Sequence, residues 1–185
     1  QSEGATGKQF VKYWMHNEWV LVDSKKMAKS ANNFYTLRDL LDRDINPIAY
    51  RFWLLMANYR TRVNFVWEAL EGAETALKRL YNLYLDLGKD IGIVHQKYQN
   101  KFREFVNDDL DTPRALTVLW DVLKDENLPN ADKKATVLDF DKVFGLGFSA
   151  RGGSALGGEN KMLTAKIKKL AKKRDEARKE KNFKK

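Results

Sequence analysis

Residues 67–88, WEALEGAETALKRLYNLYLDLG, set Leu70, Ala73, Leu77, Leu80, Tyr84 and Leu87 three and four positions apart. That spacing lines one face of an α-helix with apolar groups, and Gly88 is placed to end it. The same period continues towards the C-terminus. Residues 93–106 bring Tyr98, Phe102, Phe105 and Val106 together, and Asp111-Thr112-Pro113 opens a helix that buries Leu116, Leu119, Trp120 and Leu123. Residues 131–144 give one more, through Ala135, Leu138 and Val143. Four amphipathic helices on short connections pack most economically as an antiparallel bundle.

Working outward towards the N-terminus, Thr36-Leu37-Arg38-Asp39 has the form of an N-cap with an acid three positions on, opening a helix to about Ile45. Asn46-Pro47 restarts a helix through Tyr50, Trp53, Leu54 and Ala57 to about Arg60, since Asn caps well and Pro suits the first helical position. Before Thr36 the pattern changes. Trp19-Val20-Leu21-Val22 reads as a strand, Asp23-Ser24 as a turn and the lysines beyond as an exposed loop, the strand belonging to a sheet whose other members lie elsewhere. Trp14, Trp53 and Trp120 stand among apolar neighbours and read as core, whereas Trp19 and Trp67, beside polar residues, fit either a core or a base-stacking role.

Towards the other end, residues 148–158, FSARGGSALGG, are small and nearly without anchors, a linker by composition. Beyond them Met162, Ile167, Leu170 and Ala177 make a thin apolar stripe, so the last helix docks lightly or orders on binding. Charge is concentrated here. Residues 161–185 hold twelve Lys plus Arg against three Asp plus Glu, and residues 1–160 carry 22 of each sign, so the net +9 sits in the last 25 residues. A basic end of this kind suits a polyanionic partner, because phosphate neutralisation releases counterions, and it suits a solvated lysine-rich tail equally.

A hydrophobic fraction of 43% over 185 residues is enough for a core, and no apolar run approaches the ~20 residues that span a bilayer. The absence of cysteine excludes a disulfide framework and a thiolate zinc site within these residues and fits a cytoplasmic protein. The opening Gln1-Ser2-Glu3-Gly4 has neither a starting Met nor a signal-peptide pattern and reads as the middle of a longer polypeptide. His16 and His95 stand at unrelated positions and read as structural, and Asp108, Asp109 and Asp111, just before Thr112-Pro113, read as helix-start acids rather than a metal cluster.

Lys26-Met27-Ala28-Lys29-Ser30 follows the strand and turn directly, putting two ammonium groups and a hydroxyl on one loop. Two lysines three apart can flank a polyphosphate and follow charge as it moves to a leaving pyrophosphate. Alone, the five residues fit a solvated lysine turn better than a phosphate site. Other segments accompany them: Gln1-Ser2-Glu3, Tyr13-Trp14-Met15-His16-Asn17, Val20-Leu21-Val22-Asp23, and Asn33-Phe34-Tyr35-Thr36-Leu37-Arg38-Asp39-Leu40-Leu41. Further along come Asn58-Tyr59-Arg60 with Asn64-Phe65, the run Asn107-Asp108-Asp109-Leu110-Asp111-Thr112-Pro113-Arg114-Ala115-Leu116, and Lys173-Arg174-Asp175-Glu176-Ala177-Arg178. In this order the segments resemble the C-terminal portion of cysteinyl-tRNA synthetases, class I aminoacyl-tRNA synthetases, along nearly the whole chain.

The resemblance implies a mainly α fold: a strand–turn–loop remnant of a class I catalytic domain over residues 1–35, then a stem-contact helical region over 36–66. An anticodon-binding type of helical bundle follows over 67–147, then the linker over 148–160 and a basic helix over 161–185. It implies Lys29 as the principal phosphate-stabilising lysine, Lys26 as its partner and Ser30 as a polar support, all three binding ATP. Arg60 and Arg62 would contact the tRNA stem and Lys172, Lys173, Arg174 and Arg178 the anticodon region, each being otherwise a solvated or ion-paired charge. Ala28 and Ser24 depart from the family's usual serine and glycine.

The implied reaction is cysteine–tRNA ligation, with cysteine, ATP carried by Mg2+, and tRNA(Cys) as substrates. The family's other ATP signature and its zinc ligands belong to an amino-terminal half outside these 185 residues, so this chain holds no metal ligands and alone should not form the adenylate. Two alternatives stay open. One is a cysteine ligase of small-thiol, mycothiol-type biosynthesis, which has no use for a basic anticodon-reading end; the other is a non-catalytic RNA-binding helical module derived from a synthetase.

Overall fold

A computed structural model describes residues 1–27 and 33–151. The described chain is mostly helical with a small three-stranded sheet, in the order α1 (Ser2–Thr6), β1 (Val20–Val22), β2 (Lys25–Lys26), α2 (Leu37–Asp42), α3 (Pro47–Leu55), β3 (Val63–Phe65) and α4 (Trp67–Leu85). Then come α5 (Gln96–Asn107), α6 (Thr112–Lys124), α7 (Asn130–Phe144) and α8 (Phe148–Arg151). The strands lie in the order β2-β1-β3. The β1–β2 pair is an antiparallel hairpin, and β3 returns parallel to β1, with Val22 opposite Phe65. The strand's second neighbour is thus within the chain, brought alongside by the α2–α3 crossover.

Local chemistry sets the boundaries. At α2, the Thr36 N–H donates to the Asp39 carboxylate at 2.6 Å, closing the capping box. The helix stops at Asp42, short of Ile45, because Asp44 turns left-handed at φ 58° and the Ile45 N–H bonds back to Leu40 O at 2.9 Å, a Schellman ending. Asn46 Oδ1 accepts from the Ile48 N–H at 3.0 Å and starts α3 with Pro47 in its first turn. This helix ends at Leu55 rather than near Arg60, since Asn58 builds a turn, its carbonyl taking the Thr61 N–H and its side chain the Arg60 N–H. The start of α5 is delayed to Gln96 because the preceding N–H groups are used by α7: Gly92 bonds to Ala131 O, Ile93 to Asp132 Oδ1 and His95 to Thr136 Oγ1, each at 2.9 Å. A side chain at Gly92 would meet Asp132 Oδ1 at 2.1 Å, so only glycine fits this brace.

One continuous apolar cluster runs from Val22 on the sheet to Phe148 at the start of α8. At the sheet end, Phe65 is 3% exposed and surrounded by the rings of Tyr35, Tyr50, Trp53 and Trp67, at centroid distances of 5.0 to 6.2 Å within the group. Helices α5, α6 and α7 pack on one another, with Phe102 stacked on Phe140 at 4.1 Å, and α4 packs chiefly on α3.

Three further sequence expectations are corrected. Trp14 is exposed, not core, and lies 6.4 Å from the parallel ring of His16. The inward face of α7 carries Val137, Phe140 and Phe144, so Val143, one position out of phase, points to solvent. Phe148 is a core anchor rather than the first residue of a linker: it is 1% exposed and packs on Tyr81 and Tyr84, both at 5.2 Å. The remainder of the linker, from 152, and the basic end lie outside the described residues.

Candidate functional site

Two residues with unusual backbone angles shape the lysine hairpin. Asp23 and Ser24 link β1 to β2 at φ 48° and 63°, the consecutive left-handed pair of a type I′ turn. Ser24 therefore sits where glycine carries no steric penalty, and its N–H is fixed by Asn64 Oδ1 on β3 at 2.7 Å. From this turn β2 delivers Lys26 and Met27 to the base of the loop. Across the loop, Asn33 Nδ2 donates to Lys26 O at 3.1 Å and holds the two stems together. Lys29 and Ser30 lie outside the described residues.

Lys26 is exposed, and its Nζ stands 4.2 Å from the centroid of the Trp19 ring. Among the described residues no carboxylate pairs with it, in contrast to Arg60, Arg62, Lys78, Lys101, Arg114 and Lys142. Under the loop base lies a cavity of about 170 Å³, with Met27, Tyr35, Leu40, Tyr50 and Phe65 among its walls. The loop stems thus rest on the aromatic cluster that anchors β3.

Arg60 and Arg62 occupy the turn between α3 and β3. Arg60 makes a forked pair with Asp109 at 2.7 and 3.1 Å, and the Tyr59 hydroxyl donates to the same carboxylate at 2.7 Å. These bonds, from Arg60 first and Tyr59 second, hold the Asp109 carboxyl below the usual aspartate value. Arg62 Nε lies 3.4 Å from Glu18 Oε2, and the Glu18 N–H donates to Tyr59 O at 2.9 Å. Both arginines are more than half exposed and keep unused donors. Lys172, Lys173, Arg174 and Arg178 lie outside the described residues.

Of the three neighbouring acids, Asp111 caps α6, its Oδ1 accepting the Arg114 N–H at 3.1 Å, and Asp108 pairs with the Arg114 guanidinium at 2.6 Å. Asp109 instead reaches back 49 positions to Arg60. Nothing in the local sequence signals that reach, any more than it signals the Trp19–Lys26 pair or the Asn64 bond to the turn. Among the described residues no group of three or more His, Cys, Asp or Glu is placed to hold a metal. The chain has no cysteine, the zinc ligands that the resemblance implies for the family belong outside these 185 residues, and no step is assigned to zinc. No helix among the described residues is long and apolar enough to cross a membrane.

Comparison with known proteins bears on this hairpin. Residues 1–75 match the family described as tRNA synthetases class I (C) catalytic domain. The chain is 45% identical to cysteine–tRNA ligase 1 of Burkholderia lata over 148 residues, 80% of this chain and 31% of the relative. It is 32% identical to cysteine–tRNA ligase of Treponema denticola across the whole of this chain and 43% of the relative. By these similarities the chain is a relative of the class I aminoacyl-tRNA synthetases. Within that class the chain belongs with the cysteinyl-tRNA synthetases, and it spans between about a third and under half of the length of these two relatives.

Proposed function

We propose that this chain is the lysine-loop and tRNA-binding portion of a cysteine–tRNA ligase. In the first step the cysteine carboxylate attacks the α-phosphorus of ATP, the bond to the bridging oxygen breaks, and pyrophosphate leaves with the negative charge. Lys29, with Lys26 beside it, stabilises that charge as it develops, and Ser30 supports the loop. In the second step a hydroxyl at the 3′ end of tRNA(Cys) attacks the acyl carbon and AMP leaves. Arg60 and Arg62 contact the tRNA backbone with the donors their acidic partners leave free, and Lys172, Lys173, Arg174 and Arg178 contact its anticodon end.

What carries this reading is the state of Lys26: an exposed ammonium at the base of the loop, with no anionic partner among the described residues, in a chain whose relatives are cysteine–tRNA ligases. A lysine serving only solubility would need neither the hairpin nor the Asn33 closure that fixes its backbone. The concentrated positive charge of residues 161–185 favours a tRNA over an amino sugar as the acceptor.

The test is a chimera in which this chain replaces the matching part of the Treponema denticola relative, assayed by pyrophosphate exchange. Lys29→Ala should lower the exchange rate by about two to three orders of magnitude, as for loss of one positioned transition-state donor, with tRNA affinity nearly intact. Unchanged exchange would remove Lys29 from the assignment.

A further inference from the structure

We infer that Trp19 is a positioning residue that holds the Lys26 ammonium, without an anionic partner among the described residues, in readiness for a phosphate group; this rests on the proposed role of Lys26 at ATP. Trp19 precedes β1, and Lys26 lies on β2 opposite Leu21, so the two side chains meet diagonally across the hairpin. The Nζ-to-ring distance of 4.2 Å is well inside the range for a cation over an aromatic face. Trp19 is 58% exposed, and packing therefore gives little reason for so large a ring at this place.

The choice of an aromatic partner matters chemically. A carboxylate would fix the lysine equally well but would offset its charge and occupy donors that a phosphate could use. A ring face neutralises nothing. It covers one side of the ammonium and leaves the other N–H donors open to oxygen acceptors. It also keeps the four-carbon stem in one arrangement before the anion arrives, so less side-chain freedom is lost on binding. Trp19 thus acts through Lys26 and need not touch the substrate.

The experiment uses the full chain with its lysines reductively dimethylated with carbon-13, the Lys26 signal being assigned by its loss in Lys26→Arg. In the parent protein that signal should be shifted upfield by the Trp19 ring; Trp19→Leu should abolish the shift and Trp19→Phe should retain much of it. Magnesium pyrophosphate, followed on the same signal, should bind Trp19→Leu about two- to fivefold more weakly than the parent, with Trp19→Phe between them. An unshifted Lys26 signal in the parent, or pyrophosphate binding that is equal or tighter in Trp19→Leu, overturns the inference while leaving the phosphate role of Lys26 standing. A signal that carries the ring shift but ignores pyrophosphate overturns the phosphate role and the inference with it.

Discussion

At the scale of single residues, the hairpin and the arginine turn are where chemistry and backbone geometry disagree with local preference. Ser24 occupies a left-handed position that costs an L-residue roughly 1 kcal/mol or more, and among the described residues its side chain makes no bond that offsets this. Ser24→Gly should therefore raise unfolding stability by about 0.5–1 kcal/mol, readable as an increased urea midpoint at unchanged slope. No gain would mean that the turn relaxes in solution.

Asp109 is a second such residue, itself left-handed at φ 52° and held by Arg60 and Tyr59. Its carboxyl is held below the ordinary aspartate value in the folded protein, so its contribution to stability is present above about pH 4. That contribution fades as pH falls through the lowered folded value. Comparing stability against pH for the parent and Asp109→Asn should show a smaller acid-side loss in the variant. Superimposable curves between pH 2 and 6 would show that the pair contributes nothing to stability.

At the scale of elements, most helices were readable because apolar spacing and end chemistry agree. Thr36 with Asp39, Asn46 with Pro47, and Asp111 with Pro113 each marked a start that the structure places within a residue or two. What could not be read depends on partners distant in sequence. The parallel pairing of Val63–Phe65 with β1 joins two short strands across some forty residues, and no local pattern announces it. Likewise, the delayed start of α5 follows from N–H groups claimed by α7.

Phe148 belongs with these. Composition places it at the head of a Gly- and Ser-rich stretch, yet Tyr81 and Tyr84 on α4 supply a pocket for its ring, and the Tyr81 hydroxyl ties Leu146 O at 2.6 Å just before it. Phe148→Ala should cost about 3–5 kcal/mol through lost burial and the cavity left behind, measured by denaturant unfolding. A loss below about 1 kcal/mol would show that the segment is peripheral after all.

At the scale of the whole molecule, the sheet end, with its lysine hairpin, and the helices that would meet tRNA share one apolar core, with Arg60 and Asp109 joining the α3–β3 turn to the α5–α6 connection. The site was legible only in part. Lys26 and Lys29 were marked by a short motif, and the basic end by charge alone, but the ring beneath Lys26 and the acid facing Arg60 emerge only when the chain folds. We propose that this chain carries the tRNA-reading surface of a cysteine–tRNA ligase. The most direct measurement is binding of the 185-residue chain to tRNA(Cys) and to a non-cognate tRNA at two salt concentrations. Preferential binding to tRNA(Cys) that weakens as salt rises is the predicted result; equal binding to both tRNAs, or none to either, would contradict it.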